Sequence, residues 1–156
     1  MGGFRHILFA TDLEACSAGA LQVALDLARS MNAQLTVLHV CELGGYAAAA
    51  MCEAGGDLAS PLVEEAQRAL EGLVARADRD GVHPRALVKL GAPWQEIVAA
   101  AQEEGADLIV MGTHGRRGLA HAILGSVAEK VVQTAPMPVL TVRQAVPAAI
   151  AELKAV

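Results

Sequence analysis

Residues 107–142, DLIVMGTHGRRGLAHAILGSVAEKVVQTAPMPVLTV, constrain the chain more than any other stretch. The apolar run Leu108-Ile109-Val110-Met111 stops abruptly at Gly112. A glycine-rich loop follows, with Gly115, Gly118 and Gly125. Ser126 then opens a segment of helical character, which Pro136 and Pro138 close. Strand, glycine loop and helix start together make an arrangement that holds phosphate. Glycines allow close approach to an anion and positive φ. The N–H groups of a helix's first turn supply donors and partial positive charge.

The spacing is Gly112-x2-Gly115-x9-Gly125-Ser126. No Gly-Lys-Ser/Thr occurs, so this is not a Walker A loop. One residue too many separates the first two glycines for the Rossmann G-x-G-x-x-G. The glycines alone also fit a tight connection with no ligand.

The rest of the chain supplies the context. Residues 5–11 (RHILFAT) read as a short buried strand, with Asp12 at its C-terminal end. Ligands of parallel α/β sheets sit beyond that end of the strands. Two roles are open to Asp12: hydrogen bonding to ribose hydroxyls or a metal, and capping a helix or turn. Residues 15–31 carry Leu21, Ala24, Leu25, Ala28 and Met31 on one helical stripe. Residues 34–40 (QLTVLHV) form a second strand ending at Val40; His39 within it reads as structural. Residues 41–59 are rich in Gly and Ala with no clear period, and read as a long connection. Ser60-Pro61 is expected to start a helix, with Ser60 as cap, Leu62, Val63, Ala66, Leu70, Leu73, Val74 and Ala77 as its apolar face, Glu64 and Arg68 as a solvated pair, and Gly81 as its stop. A third strand over residues 84–90 leads into a short helix over 94–104, which Gly105 ends. Trp94 fits packing over that helix start better than base stacking. Residues 138–143 (PVLTVR) form the last strand.

Five strands alternating with four helices predict an open parallel α/β sheet, Rossmann-like, with helices on both faces. A chain of 156 residues suits one domain, over residues 1–143, followed by an extension at 144–156 where Ile150, Leu153 and Val156 recur every three residues. A net charge of −5 argues against general nucleic-acid binding. Cys16, Cys41 and Cys52 lack metal spacing. Their odd number, with no secretory signal in view, predicts reduced thiols and a cytoplasmic location. No apolar run reaches membrane-spanning length, so no membrane partner is expected.

The glycine spacing, the Ala10-Thr11-Asp12 start, Val40 and Pro138-Val139 together resemble the universal stress protein family, in its ATP-binding branch. The resemblance runs from about residue 4 to residue 143. It implies the strand order 3-2-1-4-5, which sets Asp12 and Gly112 at one crevice. It implies a nucleotide-binding stress-response or regulatory protein that binds ATP, or ADP or AMP, with magnesium. Ala10, Thr11, Asp12 and Val40 would hold ribose and adenine, with Met111 beside them. Gly112, Gly115, Gly125, Ser126 and Val127 would offer backbone N–H groups to phosphates, and Ser126 its hydroxyl to phosphate or magnesium. Ala10 stands where ATP-binding members often have proline. Glu14 stands where they often have a small hydroxyl residue. The resemblance also implies a homodimer through Val139, Leu140, Thr141 and Val142, at an apolar sheet edge open to pairing. Hydrolysis needs a positioned base and a cationic clamp. His114, Arg116 and Arg117 are the nearby candidates, and none makes a convincing base, so at most slow ATPase activity is expected. The alternative is a dimeric interaction module that binds no nucleotide.

Overall fold

The computed structural model describes residues 2–57, 59–78, 81–114 and 124–143. Five parallel strands form one sheet: β1 (His6–Ala10), β2 (Gln34–Cys41), β3 (Arg85–Leu90), β4 (Leu108–Gly112) and β5 (Val139–Val142). Their order is β3-β2-β1-β4-β5, as the family resemblance implied. The helices are α1 (Ala18–Met31), α2 (Gly45–Ala54), α3 (Ala59–Ala77), α4 (Pro93–Glu103) and α5 (Ser126–Thr134).

Strand alternation explains the two cores. Ile7, Phe9, Leu35, Val37, Leu108 and Val110 face α1 and α3, meeting Ala24, Ala28 and Leu70. Leu8, Ala10, Leu38, Ile109 and Met111 face α4 and α5, meeting Ile97, Ala100, Ala101, Ala128 and Val131. Every residue from Ile7 to Phe9 is fully buried. Burying each such side chain stabilises the fold by roughly 1.5–3 kcal/mol. Small alanines on the helices let them lie close to a sheet of Ile, Leu and Val.

Several expectations need correction. The stretch 41–59 contains α2, so among the described residues five α-helices rather than four accompany the strands. The first helix begins as a 3-10 turn at Ala15–Ser17 and becomes α-helical only at Ala18. Met31, at the end of the apolar stripe, is 37% exposed. Ser60 is not the cap of α3. The helix starts at Ala59, and Asp57 Oδ1 accepts the N–H groups of Ala59 (3.1 Å) and Ser60 (3.0 Å). α3 ends at Ala77, and Gly81 takes its positive φ of 85° further on. The extension at 144–156 lies outside the described residues.

Hydrogen bonds close the N-terminal end of the sheet. The Asp107 carboxylate accepts from the N–H of Arg5 (2.9 and 3.1 Å) and of His6 (3.0 Å). The His6 ring spans the Glu104 carbonyl (3.0 Å) and Thr36 Oγ1 (2.9 Å). A carbonyl only accepts, so Nδ1 donates to Glu104 and, in neutral His6, Nε2 accepts from the Thr36 hydroxyl. Arg85 pairs with Glu104. Burial, then the Arg85 charge, lowers the His6 pKa against the opposing pull of Asp107. Burial pushes the Asp107 carboxyl up, but the N–H groups of Arg5 and His6 outweigh it and leave its pKa lowered.

Candidate functional site

The site lies where the chain's course across the sheet reverses. β1 pairs with β4 in the register Ala10↔Met111, and with β2 in the register Ala10↔Leu38. Thr11 and Asp12 therefore leave the sheet beside Gly112 and Thr113. Strands on either side of a switch point send their connections to opposite faces, which opens a crevice between them.

The β1–α1 side is a tightly bonded turn. Thr11 is buried, and its N–H donates to the Leu38 carbonyl at 2.9 Å. Its hydroxyl accepts the Leu13 N–H at 3.0 Å and lies 2.9 Å from Ser17 Oγ. Ser17 Oγ donates its proton to the Glu14 carbonyl at 2.8 Å, so Thr11 is the donor to Ser17. Leu13 is held at φ 65°, an uncommon conformation for a branched side chain. Asp12 Oδ1 accepts the Glu14 N–H at 3.0 Å, and its Oδ2 lies 3.9 Å from Cys16 Sγ. The turn-forming role open to Asp12 is thus present. Burial first, then the Asp12 charge, raises the Cys16 thiol pKa.

The β4–α5 side is mostly backbone. Gly112 ends β4 without positive φ, and among the described residues a Cβ there would meet no atom nearer than the His114 carbonyl oxygen at 3.7 Å. The N–H of Thr113 donates to Val142 at 3.0 Å. The Thr113 carbonyl accepts the Gly125 N–H at 2.6 Å, which draws both ends of the glycine loop together. Gly125 caps α5 with φ −69° and ψ 159°, a conformation open to any residue, and as a glycine it offers that helix end no side-chain cap. Neither glycine therefore uses the positive φ that glycine permits. Ser126 is exposed and Val127 half-buried at the head of the helix. Thr113 Oγ1 lies 2.9 Å from His114 Nδ1. Gly115, Arg116, Arg117 and Gly118 lie outside the described residues.

Ala10, Val40, Met111 and Val127 belong to or pack against one apolar cluster on the α4/α5 face. Ala10 and Met111 are 8% and 6% exposed, so both are chiefly core. Val40 is half-buried at the end of β2. Trp94 also packs against this cluster, and Lys130 Nζ sits 5.6 Å from its ring centroid, so Trp94 has the packing role. Two contributors went unforeseen. Thr113 is a buried threonine whose carbonyl closes the loop, and nothing in its sequence context marks it. His39 bonds to the Thr11 carbonyl at 2.9 Å. Among the described residues, no three His, Cys, Asp or Glu side chains cluster to hold a metal, and no helix is long and apolar enough to cross a membrane.

The arrangement defines a class: an open, doubly wound parallel sheet whose β1 and β4 ends lie side by side at its switch point. A sequence profile of the Universal stress protein family matches residues 3–143. The chain belongs to that family. The universal stress protein YxiE of Bacillus subtilis is 34% identical over 150 residues, covering 90% of this chain and 99% of its own. The structure of universal stress protein UspA from Lactobacillus plantarum superposes with a TM-score of 0.80 at 23% identity, covering 92% of this chain and all (100%) of that one. A universal stress protein solved in complex with cAMP gives 0.70 at 24% identity, covering 92% and 100%.

Proposed function

We propose that this chain is a nucleotide-binding regulatory or stress-response protein of the cytoplasm that holds an adenine nucleotide at the C-terminal end of its sheet. One observation carries the reading. Glycine occupies positions 112 and 125 although neither backbone needs it, and at Gly112 the described residues leave room for a Cβ. Close approach of an anion to the backbone accounts for the missing side chains. The N–H of Gly125 is engaged by Thr113, so its part is to set the loop. Phosphates then fall to the N–H groups of Ser126 and Val127 in the first turn of α5, together with Gly112 and Gly115. Thr11, Asp12 and Val40 flank the ribose and base, with Ala10 and Met111 as the floor. Magnesium would enter with the phosphates, and the exposed Ser126 hydroxyl would be its protein ligand. The cAMP complex of a relative with this fold is consistent with an adenine ligand. ATP with magnesium is expected to bind in the micromolar range, about −8 kcal/mol. Hydrolysis is at most slow.

The protomers pair through β5. The two sheet edges differ in charge. β3 carries Arg85 and Lys89, tied to Glu104 and to Glu103 (2.8 Å), and charges blunt an edge against pairing. β5 is Val139-Leu140-Thr141-Val142, without charge and with Leu140 37% exposed. Thr141→Pro should leave the monomer folded and abolish the dimer by light scattering. A dimeric interaction module without nucleotide has one observation in its favour, since Asp12 Oδ1 is already engaged by Glu14.

Mass spectrometry of ligand released from freshly purified protein separates the two readings. An adenine nucleotide at near-stoichiometric yield is expected. No nucleotide released, and none bound at millimolar ATP, would leave the interaction module.

A further inference from the structure

His39 sits on β2, opposite Val88 of β3. Alternation with Leu35 and Val37 puts it on the α1/α3 face, where it is half-buried. Its Nδ1 lies 2.9 Å from the carbonyl oxygen of Thr11, the first residue beyond β1. That oxygen can only accept, so Nδ1 carries the proton and donates. The other polar groups of Thr11 are committed within the site's turn or to Leu38, as its N–H and hydroxyl contacts show. The turn needs such holding, because Leu13 stands at φ 65°. A strained conformation persists only where its surroundings over-determine it. Ser17 and Asp12 brace the turn from within, through bonds to Glu14. His39 braces it from the neighbouring strand.

We propose that His39 is a positioning residue for the nucleotide site, which fixes the Thr11 carbonyl and so holds Asp12 where it meets the ribose hydroxyls. This rests on the nucleotide reading above. His39 need not touch the ligand. It acts through the turn, and its contribution is therefore specific to the ribose side of the crevice rather than to the phosphate side.

The test compares His39→Leu, which has no donor, with His39→Asn, whose amide N–H reaches the Nδ1 position. Two readouts are taken: amide exchange of Leu13 and Glu14 in ligand-free protein, and affinity for ATP against 2′,3′-dideoxy-ATP. In His39→Leu, exchange at Leu13 and Glu14 should speed up about tenfold while β1 and β4 stay protected. ATP should bind about tenfold more weakly and the dideoxy analogue nearly as before, so discrimination between them collapses. His39→Asn should restore both. Unchanged exchange at Leu13 and Glu14 overturns the proposal. So does a uniform loss of protection across the sheet with discrimination intact, which marks a merely structural histidine. Wild-type protein that binds neither nucleotide defeats the nucleotide reading and His39's role with it. Wild-type protein that discriminates, with a Leu variant that discriminates equally, defeats His39 alone.

Discussion

The two ends of the sheet are built on opposite plans. At the N-terminal end, side chains answer one another: Asp107 takes the N–H groups of Arg5 and His6, and the His6 ring links Glu104 to Thr36. At the C-terminal end, glycine replaces side chains at Gly112 and Gly125, and α5 begins without a side-chain cap. The closed end consumes its polar groups in stabilising the fold. The other end sets two glycines beside a turn held in strain. Backbone strain costs stability and recurs where ligands bind. The contrast implies that substitutions at one end should change stability alone, and at the other binding alone.

The largest effect should come from Gly125→Val. Its φ of −69° accepts valine, so the melting temperature should change little. The side chain, however, stands at the head of α5, and ATP affinity should fall about a hundredfold, roughly 2.7 kcal/mol, in a calorimetric titration. A large drop in melting temperature with equal losses for ATP and adenosine would erase the contrast between the ends. Asp107→Ala is the reverse case. It removes the acceptor for two backbone N–H groups at a partly exposed position, and urea titration should show a loss of about 1 kcal/mol. Its ATP affinity should match wild type.

The smallest effect is in pH. The folded pKa of His6 lies below its ordinary value of 6.5, chiefly through burial. The unfolded chain therefore binds the proton more readily, and stability present above pH 6.5 is lost as pH falls below that value and through the lowered folded pKa. His6→Gln should flatten the fall in urea midpoints that sets in as pH drops below about 6.5. Asp107 does not intrude, because its lowered pKa moves stability only in the range below the usual carboxylate value of 3.8. A wild-type midpoint that rises as pH falls from neutrality would contradict the assigned shift.

Sequence periodicity exposed most of the fold for a physical reason. Buried strands such as Ile7 to Phe9, and helices with one apolar stripe, announce themselves by pattern. α2 lacked that pattern. Its sequence GYAAAAMCEA has no apolar stripe, and the flanking glycines suggested a loop. Alanine's high helix propensity was the available signal. The cap of α3 was misplaced because Ser60-Pro61 outweighed Asp57, whose carboxylate reaches forward to two N–H groups. At the site, the glycine spacing and Asp12 were visible. The left-handed Leu13, the Gly125–Thr113 bond and the reach of His39 to Thr11 were not, because backbone dihedrals and contacts between residues far apart in sequence leave no periodic pattern.

Gly112→Ala tests the central claim most directly. The added Cβ has room against the described residues, the nearest of whose atoms is 3.7 Å away, so the fold should tolerate it within about 0.5 kcal/mol. If phosphates approach this backbone, the methyl group stands in their path. Titrations of wild type and variant with ATP, AMP and adenosine should then show a loss graded by phosphate number, about tenfold or more for ATP and least for adenosine. Unchanged ATP affinity in a stable Gly112→Ala protein would contradict the account.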